Sequence, residues 1–111
     1  MENQVKEFEM ETIQIKRLTK DQMWKLVNST PHIPYQAQEY LKHRILLWTE
    51  ENYERYNSTN FYEMLLLKAI KLELRAEQNI KINPTLYGSE CEYFRLISKG
   101  IRKFAKTLEN L

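Results

Sequence analysis

Cysteine, glycine, proline and aspartate are all scarce in this chain. Cys91 is the only cysteine, so no intramolecular disulfide can form, which suits a reducing cytoplasm. One Cys and two His (His32 and His43), with no CxxC or HxxxH spacing, point to neither a metal site nor a cofactor. Two glycines and three prolines are too few for the frequent tight turns of a sandwich or barrel. They form no Gly-rich phosphate loop. Asp21 is the only aspartate, and the glutamates show no pairing beyond helix-surface spacing. The groupings that carry catalysis are therefore missing, and a non-enzymatic protein is expected. No apolar run reaches the roughly 20 residues of a membrane span. The start, MENQVKEFEME, is acidic where a signal peptide would be basic and then apolar. A cytoplasmic location without membrane association is the expectation.

What is present suits one small globular domain. The chain has 111 residues, 42% of them apolar and 12% aromatic, enough for a single modest core but not for a second. The net charge is only +2, whereas dedicated nucleic-acid binders usually carry a larger excess. The charge is unevenly spread, with an acidic beginning and a basic end.

Hydrophobic spacing predicts a mainly α protein, a bundle of three longer helices and one short one over residues 19–111. An N-terminal β-strand or extended arm is expected over 1–18. Thr19 and Gln22 fit a capping box opening a short helix that turns Met23, Trp24, Leu26 and Val27 inward. Pro34 suits the first position of a second helix, expected to reach Tyr56 with Ala37, Leu41, Ile45 and Trp48 as its stripe. The stretch Phe61–Ile80 is apolar on two sides. Phe61, Tyr62, Leu65, Ala69, Leu72 and Ala76 fill one arc, and Leu67, Ile70 and Leu74 another. It reads as a central helix with neighbours on both sides. Asn83, Pro84 and Gly88 read as a loop, followed by a last helix capped by Ser89. In the arm, alternation of Phe8 and Met10, then Ile13 and Ile15, favours a strand. Its backbone needs partners. Those would be a short extended piece at Asn79–Asn83, a second copy of the chain, or the sheet of a partner.

Two surfaces are candidates for function. In the last helix Arg95, Lys99, Arg102, Lys103 and Lys106 all fall opposite the apolar face, a pattern able to contact phosphates or an acidic partner. The same pattern also arises on a solvated helix face that complements the C-terminal end of the helix dipole. The second candidate is the arm, Phe8, Met10, Ile13 and Ile15, together with Tyr53 and Tyr56, as contacts for a protein partner or a homodimer. Gln36, Gln38, Lys42, His43 and Arg44 could face nucleic-acid bases, but Asn28–Pro34 is longer than the turn of a helix-turn-helix.

The run KINPT (Lys81–Thr85) and the helix carrying GIRKFAKTLENL resemble the C-terminal part of phage small terminase subunits. There, a helix is followed by Asn-Pro and then by a helix ending in basic and leucine residues. The likeness covers residues 61–111 and lacks the glycine-containing hairpin usual before the Asn-Pro. It carries over no residue roles. It implies a phage or mobile-element protein that handles DNA. The residues themselves favour a small regulator or adaptor that binds a protein partner. Nucleic-acid binding through the basic helix face is the alternative.

Overall fold

The computed structural model describes residues 13–48 and 57–111. Within them the chain forms four α-helices: α1 (Lys20–Ser29), α2 (Tyr35–Leu47), α3 (Ser58–Ile82) and α4 (Pro84–Glu109). No strand occurs among the described residues. Phe8, Met10, Tyr53 and Tyr56 lie outside them.

α1 starts as its sequence dictates. The Thr19 hydroxyl accepts from the Gln22 amide at 3.1 Å, and the Gln22 side chain accepts from the Thr19 amide at 2.9 Å. Two otherwise orphaned donors are thus satisfied reciprocally. Met23 and Val27 are fully buried, while Trp24 and Leu26 pack at the margin of the core. In α2 the stripe of Ala37, Leu41 and Ile45 is buried. Trp48 is buried too, but it stands just past the helix in extended backbone. Helix α2 therefore ends at Leu47, and the residues expected to continue it to Tyr56 lie outside the described part from 49 onward. Trp48 stacks on Phe61 with ring centroids 5.2 Å apart, tying the end of α2 to the first turn of α3.

α3 and α4 form the backbone of the bundle, a long antiparallel hairpin. Asn83 alone connects them. Its backbone is extended, as expected of a residue before proline, and its amide donates to Asn79 at 3.1 Å. Pro84 supplies the first turn of α4, where a missing N–H costs nothing. Two expectations fail here. The Asn79–Asn83 piece read as a strand is helical up to Ile82, so it cannot pair with the arm. The loop through Gly88 is also absent, because α4 starts at Pro84 and runs through Gly88 and Ser89. Burial along a packed hairpin outweighs the roughly 1 kcal/mol helix penalty of one glycine.

The core draws on every element. Ile97, Ile101, Phe104, Ala105 and Leu108 of α4 meet Tyr62, Leu65 and Ala69 of α3 and the stripes of α1 and α2. Gly100 is buried where α4 crosses α2. A Cβ on Gly100 would lie 2.1 Å from Ala37 Cβ and 3.2 Å from Ile33 Cγ2. Two helices can approach this closely only because α4 has no side chain there.

Residues 13–19 run as irregular chain into the same core. Ile15 and Leu18 are buried. Their amides donate to side chains at the start of α3, Ile15 to Thr59 Oγ1 at 3.1 Å and Leu18 to Ser58 Oγ at 2.7 Å. These two backbone donors find hydroxyls rather than another strand.

Candidate functional site

Of the arm's expected contacts, only Ile13 and Ile15 are among the described residues. Ile15 is 8% exposed and belongs to the core, so it cannot also serve as a partner contact. Ile13 is 41% exposed and remains on the surface. Neither forms a strand edge.

The basic face of α4 is real but not uniform. Arg95, Lys99, Arg102 and Lys106 are exposed, and Lys103 is half-buried. Arg102 is engaged by a residue outside its own helix. Its Nε and Nη2 donate to the two carboxylate oxygens of Glu73 at 2.7 Å each. The Ser98 hydroxyl also donates to that carboxylate. The hydrogen bond from Arg102 is the main influence holding Glu73 below the usual carboxylate range, with help from Ser98 and against the pull of burial. The same pairing raises Arg102. The carboxyl's lowered pKa sets the sign of its pH effect. Its contribution to stability is complete above its ordinary value of 4.5 and is lost as pH falls through the folded value. Both side chains are 40–48% exposed, so the pair contributes under about 1 kcal/mol. Unfolding curves of wild type and Glu73→Gln should therefore differ by a small constant above about pH 5, and the difference should shrink in more acid solution.

Lys103 leans the other way, donating to the His32 carbonyl at 2.8 Å. His32 is the only non-glycine among the described residues with positive φ, at 63°. That left-handed kink carries the chain from α1 into α2 against α4. His32 is exposed; its backbone is what the fold uses. Between this kink and the last turns of α4 lies an open groove of about 460 Å³. Lys99, Arg102, Lys103 and Lys106 line it with Thr30 and Thr107. The lysines were legible from helical period. The threonines were not, because only the fold brings Thr30 to α4.

A second surface lies on α3. The arc of Phe61, Tyr62, Leu65, Ala69 and Ala76 is buried. Leu67, Ile70 and Leu74 are 58%, 44% and 51% exposed. The expected neighbour on that side is thus missing among the described residues. The row is flanked by exposed Lys71 on one side and by exposed Glu77 on the other, and exposed Glu63 stands in line with it one turn earlier.

Cys91 is fully buried, not semi-buried as its place near a helix start suggests, and its thiol donates to the Ala76 carbonyl at 3.1 Å. A thiol closed off in this way is a packing element. Among the described residues no three His, Cys, Asp or Glu gather as metal ligands, and no helix is long and apolar enough to cross a membrane. No family model matches the chain, and no curated protein and no solved structure matches it with significance.

Proposed function

We propose that this is a small non-enzymatic interaction protein, a regulator or adaptor that binds a protein partner through the outer face of α3. One observation carries the reading: a helix built apolar on two sides has only one of them covered by the described residues. Leu67, Ile70 and Leu74 repeat at the spacing of a helix-docking seam. The opposite charges beside the row suit a partner helix with an acid against Lys71 and a base against Glu77, which in the free protein lies 3.7 Å from the exposed Lys81.

Magnitudes set the expected affinity. Burying the exposed half of three aliphatic side chains yields roughly 3 kcal/mol. That is modest against the cost of association, so the flanking charges and further contacts must contribute, and micromolar binding is expected.

The double variant Ile70→Glu/Leu74→Glu tests the site. Both positions are on the surface, so its melting temperature should stay within a few degrees of wild type. Binding of a synthetic helix bearing a leucine seam and the complementary flanking charges should fall by at least about tenfold, equal to 1.4 kcal/mol. Sedimentation over a concentration series shows whether a second copy fills the same face. Unchanged peptide binding in the variant, with no change in self-association, would remove the proposal.

A further inference from the structure

The groove beside the last turns of α4 is independent of the α3 face. We infer that it is a binding site for the phosphate groups of a polyanionic ligand.

The first argument is charge. Four cations line the groove: Lys99, Arg102, Lys103 and Lys106. One carboxylate, Glu73, opposes them through Arg102. The C-terminal ends of α1 and α4 also lie close, with Thr30 capping one and Thr107 in the last turn of the other. Each helix end carries about half a negative charge. Complementing those two ends is the ordinary use for lysines here, and it would take up about one positive charge in all. Glu73 takes up another. Roughly two positive charges remain without a counterpart among the described residues.

The second argument is preorganisation. Arg102 is fixed by its fork on Glu73, yet two of its five N–H donors suffice for that fork, and three remain. Lys103 is fixed by the His32 carbonyl and keeps two of its three donors. These two cations therefore have their side chains set before any ligand arrives, which lowers the entropic cost of binding. Lys99 and Lys106 are exposed, with no carboxylate at ion-pair distance among the described residues. They can close over a bound anion. Threonine hydroxyls at 30 and 107 add neutral polar groups at the rim. The groove is open and about 460 Å³ in volume, so it admits a chain of phosphates rather than a single enclosed ion.

Such phosphates come either from a free oligophosphate or from a nucleic-acid backbone. The probes are sodium tripolyphosphate and a mixed-sequence duplex DNA, each titrated by calorimetry into the full chain at low salt. Tripolyphosphate should bind with a dissociation constant below 1 mM as an order-of-magnitude figure. Lys99→Glu/Lys106→Glu should weaken it more than about tenfold while lowering the melting temperature by only a few degrees, the cost of reversing charges beside the helix ends. The seam peptide of the α3 face should still bind this variant. If duplex DNA binds with a steep salt dependence and tripolyphosphate displaces it, the phosphates are those of a nucleic acid. If tripolyphosphate binds and DNA does not, the ligand is a free oligophosphate. Equal binding by wild type and variant, or no heat with either probe, would overturn the assignment.

Discussion

Replacing Gly100 with alanine is expected to destabilise the protein by about 2 kcal/mol net. Replacing Gly88 with alanine in the same helix should stabilise it by about 0.5–1 kcal/mol. Both changes give α4 a better helix former. They differ in what the new methyl meets. At Gly88 nothing lies within 4 Å of the added atom, whereas at Gly100 it would fall 2.1 Å from Ala37 Cβ. That second distance is far inside van der Waals contact, and the obstacle is a short side chain on a neighbouring helix that cannot swing aside. α2 and α4 must part, loosening Ile33, Ala37 and Ile101 together, and overpacking of this kind typically costs 1–3 kcal/mol. Chemical denaturation reads both changes. The double variant Gly100→Ala/Ala37→Gly moves the methyl across the crossing and should return to about wild-type stability, because the roughly 1 kcal/mol that a glycine costs α2 offsets the similar gain of an alanine in α4. A Gly100→Ala protein as stable as wild type would show that the two helices do not cross here.

The second large effect is at Ser58, where alanine is expected to cost about 2 kcal/mol. Ser58 is 1% exposed and Leu18 7%. The Leu18 amide donates to Ser58 Oγ at 2.7 Å. Without the hydroxyl, that amide stays buried and unpaired, and an orphaned buried donor costs about 1–3 kcal/mol. Alanine is sterically mild in the first turn of α3, so the loss reports what the hydroxyl does, including its own donation to the Leu18 carbonyl at 3.5 Å. Residues 13–19 should then detach more often. Faster hydrogen exchange at Leu18 and faster tryptic cleavage at the exposed Lys16 and Arg17 would report it. Wild-type rates in the variant would mean that burial of Ile15 and Leu18 alone holds this segment.

These two sites show how far the sequence could be read. Two packing stripes were legible because a period of 3.6 residues exposes them directly: Ala37–Leu41–Ile45 and Phe61–Leu65–Ala69, and so was the existence of an apolar face on the last helix. The Thr19 capping box was legible because its partners are three residues apart. A glycine within a helix, as at Gly100, is itself a local sign of a close crossing, but nothing local names Ala37. What failed depended on partners distant in sequence. The arm looked like a strand in need of an edge, but Ser58 and Thr59 answer its amides from 40 and 44 residues away. Gly88 looked like a break, because a local penalty of about 1 kcal/mol says nothing of the burial gained by continuing the helix. The acid that engages Arg102 lies on α3, so the basic face of α4 looked unopposed when read by itself. Leu67, Ile70 and Leu74 were found correctly as an apolar row, but spacing cannot say whether such a row meets a neighbour in the same chain or waits for another molecule.

The single-residue link at Asn83 leaves no slack between the two longest helices. Its two torsions are set, one end by the bond to Asn79 and the other by the proline ring. Helix α4 can neither slide nor swivel on α3 without breaking that corner. Ligands engaging the α3 row and the α4 groove would thus meet a ruler with two fixed marks. A single partner able to span both would gain from the stiffness, and one with the wrong spacing would be refused.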